Sequence, residues 1–394
     1  MSKGFPAFSP IAVIGTILVL ASAPTAADAL FGGSGGAGGR AVRAPYTEAD
    51  GIASNFDVST TLKRSWGSGD IAAANSNDVV GAFRFICGAG QLRYDDPIVY
   101  PGQPGRSHLH QFYGNTSADA NSTFASLRAS GDSTCNNMGN GTAANRSAYW
   151  IPAMLDGKGH VVQPDYVQVY YKREPTGPGT LCDPRNPRNH GICVGIPNGL
   201  KFIFGFDMVG GDPQTHVGNY KCTGAGAKSA VAKTIGDVKD SCRPGSHLVA
   251  TISTPSCWDG RNLDSANHRD HLSQTRRDRN TGIGKCPKTH PYYMPKFTLS
   301  VFYRVGQDDD VGLWQLSSDH MYPDKPHGAT LHADYFEAWD NSVKDMWVDN
   351  CVGKKLNCSG GDLGNGKQLK GAAKPKYGWI NPDRLVPVPQ GGMM

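Results

Sequence analysis

Two histidines with one residue between them stand in the segment Arg106-Ser107-His108-Leu109-His110-Gln111. Side chains alternate along an extended strand, so His108 and His110 face the same side. Two imidazoles side by side can share a metal ion or a substrate group. A second polar cluster lies far downstream, with Asp259, Asn262, Asp264, His268, Asp270 and His271 inside one short segment that begins at Cys257-Trp258. The third piece is His332-Ala333-Asp334, which again puts two ligand-type residues on one side of an extended chain. Six of the twelve histidines fall between His268 and His332. Histidine and carboxylate together suit zinc, copper, iron or manganese.

These residues define the expected site. His108 and His110 are the candidate ligands of a divalent ion. Asp259, Asp264, His268, His271, His332 and Asp334 are the candidate catalytic groups, as acids, bases or further ligands. Tyr113, Asn115, Trp258 and Asn262 are the candidate substrate contacts, because aromatic faces and amides beside titratable groups suit sugar rings. Asp and Asn also bond their own backbone in turns, so the 259–271 cluster can equally be a turn network. Other machinery is absent from the sequence: no G-x-S-x-G, no H-E-x-x-H, no phosphate loop and no dinucleotide fingerprint.

The elements that must hold these groups are strands. Apolar-polar alternation or β-branched and aromatic runs occur at 79–87, 149–155, 166–172, 200–206, 247–253 and 297–304. Gly, Pro, Asn and Asp fill the gaps, among 50 Gly and 26 Pro in all. The best helical pattern is 335–347, with Phe336, Trp339, Val343 and Trp347 on one face and Asp334 as its cap. We therefore expect a mostly β chain, an antiparallel β-sandwich of jelly-roll type with long disulfide-pinned loops and few short helices.

Ten cysteines without paired C-x-x-C knuckles argue for bridges rather than a thiolate metal site. The simplest pairing along the chain is Cys182 with Cys193, Cys222 with Cys242, Cys257 with Cys286 and Cys351 with Cys358, leaving Cys87 with Cys135. Residues 1–29 have the basic, apolar and small-residue regions of a secretory signal, followed by a Gly-rich leader at 30–45. A single β-rich domain is expected over 46–358 and a loosely packed tail over 359–394. The expected location is secreted or periplasmic, with no membrane attachment after signal cleavage. The 39 basic and 34 acidic residues give only +5, scattered along the chain, so no nucleic-acid footprint is present.

An ordered series of short motifs resembles a secreted family of unknown function, the one numbered nineteen ninety-six. It runs through Arg84-Phe85-Ile86-Cys87, Asp96-Pro97, Ser107-His108-Leu109-His110, Gly114-Asn115 and Tyr149-Trp150-Ile151-Pro152. It continues through Ser256 to Leu263, Asp264-Ser265, His268, Cys286-Pro287, His290-Pro291, His332-Ala333-Asp334 and Trp339-Asp340. The resemblance covers about Val79 to Cys351. It implies export and a polysaccharide or cell-wall partner, since some members carry small carbohydrate-binding modules. This chain departs from the family near Cys135, where members have a denser cysteine pair, which puts the Cys87–Cys135 bridge in question. It also has Leu331-His332-Ala333-Asp334 where members have Gly-His-Gly-Asp-like residues. Three functions follow: a polysaccharide-directed enzyme, hydrolytic or metal-assisted; a non-catalytic carbohydrate-binding or wall-associated protein; and an extracellular metal-binding protein.

Overall fold

Ten strands carry the fold in a computed structural model that describes residues 52–65, 80–135, 143–210, 218–370 and 380–392. The expected signal and leader lie outside the described residues. In chain order the strands are β1 (Gly81–Cys87), β2 (Leu92–Arg93), β3 (His110–Gly114), β4 (Ala148–Pro152), β5 (Tyr166–Arg173), β6 (Lys201–Gly205), β7 (Asn219–Gly224), β8 (His247–Ser253), β9 (Lys296–Arg304) and β10 (His332–Phe336). They form two sheets. The larger runs in the order β7-β8-β9-β5-β1, all antiparallel, with short edge strands added at Ala227–Lys228 and Asn357–Cys358. The smaller runs β6-β10-β4-β3-β2, antiparallel throughout.

The two sheets face each other across aromatic side chains. In β9 every second residue is buried, and Phe297, Leu299, Val301 and Tyr303 form its inner row. Phe297 meets Tyr149, Phe204 and Tyr335 of the smaller sheet at ring distances of 5.8, 5.8 and 4.9 Å. The chain is thus mostly β and builds a sandwich, as expected from the alternation.

The burial patterns of the two sheets differ, and this locates the site. β9 alternates because one face of the larger sheet meets solvent. β3, β4 and β10 are buried at every position because the smaller sheet is covered on both faces. On its outer face Phe112, Trp150 and Phe336 pack beneath Ile98 and a short helix, α1 (Phe124–Ala129). The same outer face carries His110 on β3 and His332 and Asp334 on β10. Pairing of Ile203 with Asp334 and of Gly205 with His332 sets β6 alongside. Gly205 has φ +95°, and a Cβ there would come within 2.5 Å of Ile252 Cδ1, so glycine is required where β6 ends beside His332.

Two local expectations are corrected. The helix expected over 335–347 begins later, as α2 (Asn341–Met346), and is capped by Asp340, whose carboxylate accepts from Val343 N–H at 3.1 Å. Tyr335 and Phe336 belong to β10, so Asp334 is a strand residue and no cap; the spacing of Phe336 and Trp339 mimicked a helical face in a stretch that is buried throughout. The stretch from 359, expected to pack loosely, is instead well packed as far as 370. Leu363 and Leu369 are fully buried, and Lys367–Leu369 pairs with Leu62–Arg64. Farther on, Leu385–Pro387 pairs with His160–Val162.

All ten cysteines are bridged, in the pairing expected from chain order, including Cys87–Cys135. The departure near Cys135 therefore does not abolish that bridge. Each bridge restricts the unfolded chain, by about 2–4 kcal/mol for loops of this size. Full reduction is expected to lower the melting temperature by many degrees. An unchanged melt after reduction would contradict a stabilising role for the bridges.

Candidate functional site

A cavity of about 610 Å³ opens on the outer face of the smaller sheet. Its walls include Asp96, His108, Asp207, His268, Arg269, His332 and Asp334. His110 lies just beneath, fully buried. His108 precedes β3 rather than lying in it, yet its ring meets His110 at 4.2 Å between centroids and His332 at 5.1 Å. One ring nitrogen from each of His108, His110 and His332 falls within 4.8 Å of the other two. A second set, Asp96, His110 and Asp334, meets the same criterion.

The backbone fixes which nitrogens are available. His110 Nδ1 lies 3.0 Å from the Asp95 carbonyl, and His332 Nδ1 lies 2.8 Å from the Thr330 carbonyl. A carbonyl only accepts, so each Nδ1 carries the proton and each Nε2 keeps its lone pair. The Nε2 atoms of His108 and His110 are buried without a hydrogen-bond partner among the described residues, as are both carboxylate oxygens of Asp334. Asp96 differs, because one of its oxygens accepts from the N–H groups of Ile98 and Val99 at 2.8 and 2.9 Å. Since His110 offers a single free nitrogen, the two ligand sets compete for one ion and cannot hold two.

The electrostatics match a cation site. Burial, then repulsion from His110, His332 and His320, holds the His108 imidazole well below its ordinary value. Burial likewise lowers His110, and brings His332 to about 3. All three rings are therefore neutral at pH 7, the form that ligates metal. Burial pushes the Asp334 carboxyl well up, and the nearby Asp96 adds to this, against the opposing pull of Arg269. The Arg269 guanidinium donates to the Gly205 and Phe206 carbonyls at 3.2 and 2.8 Å, which clamps the 264–269 loop to the end of β6.

The remaining candidates separate into two groups. His268 joins the cavity wall, and Asp264 stands behind it, with His268 Nδ1 2.8 Å from Asp264 Oδ1 and Lys201 Nζ 3.3 Å from the other oxygen. Burial alone would raise Asp264, but the bond and charge of His268, Lys201 and the Ser265 N–H together hold it below the usual carboxylate range. Asp259 and Asn262 instead form a turn: Asp259 accepts from the N–H groups of Arg261 and Asn262 at 2.8 and 3.0 Å and from the Asn262 amide at 2.6 Å. His271 is buried against Ser265 Oγ (2.9 Å) and the Lys201 carbonyl (3.0 Å). None of these three lines the cavity.

The expected substrate contacts also lie elsewhere. Tyr113 and Trp258 are fully buried in the main core. Asn115 is buried, donates to the Leu127 and Ser130 carbonyls, and accepts from Ser117 N–H, closing a loop. All five tryptophans among the described residues are fully buried, so none offers a stacking face. Asp96 and Arg269 were not singled out as site residues by sequence reasoning. Asp96 entered only within a family motif, and an Asp before Pro points to a turn as readily as to a ligand.

A family model described as "Domain of unknown function (DUF1996)" matches residues 96–339, more than half of the chain. The chain belongs to the DUF1996 family. The matched span of the DUF1996 domain begins at Asp96 of the cavity and takes in His108, His110, His268, His332 and Asp334. No curated protein and no solved structure matches the chain. Among the described residues no helix is long and apolar enough to cross a membrane.

His271 yields a separate expectation. Burial brings it down to about 4 from the ordinary 6.5. Between those values the unfolded chain binds a proton that the folded chain refuses, so its contribution to stability is complete above pH 6.5 and falls as pH drops toward 4. His271→Gln should flatten that acid limb in urea melts at stepped pH. An unchanged slope would show that His271 does not contribute to it.

Proposed function

We propose that the cavity binds one divalent transition-metal ion and that this protein is an extracellular hydrolytic enzyme acting on cell-wall polysaccharide. The observation that carries the metal is the convergence of three neutral imidazoles, two with unpartnered buried Nε2 atoms, with the unpartnered buried carboxylate of Asp334 close to one of them, His110. Leaving such groups unpaired costs about 1–3 kcal/mol each, and a shared cation relieves them together. Three histidines and an open side are a donor set that suits zinc or copper and leaves room for water. A bound ion would supply water of lowered pKa. This chain's residues would do the rest: His110 and His332 are fixed by backbone carbonyls, and the cavity holds the substrate.

Five disulfides fit an oxidising compartment outside the cytosol. The polysaccharide reading rests on the family resemblance and on a cavity wide enough for a sugar unit. A stacking platform of tryptophans, which a simple carbohydrate-binding module would use, is absent among the described residues.

One observation favours a second reading. Asp96 and Asp334 approach each other closely, and Asp334 is raised, which is the arrangement of an acid and a base that need no ion. Turnover of a panel of wall glycans, with and without chelator, decides between them. Chelator-sensitive release of product supports the metal enzyme. Activity that survives complete metal removal supports the carboxylate pair, and tight metal binding with no turnover on any glycan leaves a metal-binding protein.

A further inference from the structure

We propose that His268, oriented by Asp264, is the proton donor to the leaving group in this cavity, acting across Ile203 from the histidine cluster. The inference rests on the hydrolytic reading and adds a residue that the metal site does not require.

The placement follows from the edge of the smaller sheet. Ile203 pairs with Asp334 on one side. On the other side its N–H donates to the His268 carbonyl at 3.0 Å, while Lys201 N–H donates to the Leu263 carbonyl at 3.0 Å. The 263–268 segment therefore loops out from the edge of β6 and touches it at both ends. Neighbouring strands lie about 4.8 Å apart, so the main chains of His268 and Asp334 stand about 10 Å apart. Ile203 forms the floor between them, and all three residues line the same cavity. This span accommodates a scissile bond with an attacking water on one side and a departing oxygen on the other.

His268 is held in an unfavourable backbone conformation to stand there. Its φ is +58°, and the only other non-glycine residues with positive φ among those described are Ala225 and Lys355, neither of them at the cavity. Strain of this kind at a functional wall persists only where the surroundings enforce it. Here they include the Ser265 carbonyl, which accepts from His268 N–H at 2.8 Å, and the Arg269 clamp on the end of β6. Asp264 takes the proton of Nδ1 at 2.8 Å and is itself anchored by Lys201. A carboxylate on Nδ1 fixes the orientation of the ring at the cavity wall.

The step balances as the addition of one water across a C–O bond. The water oxygen bonds to the carbon, and its released proton passes to solvent at the rim of the cavity. The old C–O bond breaks, and the departing oxygen takes the Nε2 proton of His268. Solvent at the rim then restores the proton on His268.

The test uses the full-length, metal-loaded protein and His268→Gly. Glycine adopts positive φ freely, so this variant should melt no lower than the wild type and hold the same metal. Its turnover of the glycan that the wild type cleaves should fall about 100-fold. Free imidazole should restore part of the loss, and a nitrophenyl leaving group, which departs without a proton, should show little loss. Asp264→Asn should show a smaller deficit of the same pattern. If the glycine variant does not fold, His268→Asn, which also tolerates this φ, carries the test. Wild-type turnover in the variant overturns the proposal, as does an equal loss on all leaving groups with no imidazole rescue. A wild type that cleaves no glycan sinks the hydrolytic reading and this one together. An active wild type matched by its variant sinks this one alone.

Discussion

Replacing His108, His110 and His332 together by alanine should abolish divalent-metal binding and leave the sandwich standing. The three rings occupy the covered outer face of the smaller sheet, whereas the core that joins the sheets is made by Tyr149, Phe204, Phe297 and Tyr335 on the inner face. Loss of three ligands should weaken zinc binding by far more than the 10- to 100-fold typical of losing an outer partner. In the wild type, zinc at about 100 times its dissociation constant adds about 2.7 kcal/mol to stability, so the melting temperature rises by several degrees. The triple variant should show a normal β-type far-UV spectrum and no zinc-dependent rise. A variant that still gains stability from zinc would place the ion elsewhere. A variant that fails to fold would mark the rings as structural.

Asp334→Asn should make the metal-free protein more stable at neutral pH. The Asp334 carboxyl is buried, both its oxygens lack partners, and burial pushes it well above 3.8. In the window above 3.8 the folded chain retains a proton that the unfolded chain has released, so stability falls as pH rises through that window. An amide of the same shape cannot ionise, so it escapes this pH-dependent penalty, and the variant should be the more stable of the two at pH 7. Below pH 3.8 both states are protonated, and the gain should vanish. The same change should weaken metal binding, since a negative neighbour of the cation is lost. Urea melts of the apoprotein at pH 7 and pH 3 measure the first effect. Equal stability of the two proteins at pH 7 would show that Asp334 is not held at a cost.

Much of this arrangement was legible because it obeys short-range rules. The period of two put His332 and Asp334 on one face, and β10 delivers them there. The long alternating runs became β5, β8 and β9 almost to the residue. The disulfide pairing followed chain order. What was not legible depends on partners remote in sequence. Nothing local distinguishes Asp334, buried and unpaired, from Asp259, which spends its oxygens on its own turn. Tyr113, Trp258 and Asn115 sit beside cavity residues in the chain, but alternation turns Tyr113 to the opposite face of β3 from His110. Asp96 reaches the site only because its loop folds over the smaller sheet, and the start of α2 was hidden because Phe336 and Trp339 satisfy a helical spacing while one of them lies in a strand. The departure near Cys135 raised a doubt about the first bridge that the packing of β1 against the 133–135 segment removes.

The central claim is that His108, His110 and His332 form one cation site. Metal analysis of the full-length protein, purified without chelator or metal-affinity resin, tests it most directly. The account predicts about one zinc or copper ion per chain, as a single three-histidine site would hold, with none retained in the triple alanine variant. Protein that carries no ion, and that neither binds nor is stabilised by zinc, copper or manganese when these are added, would contradict it.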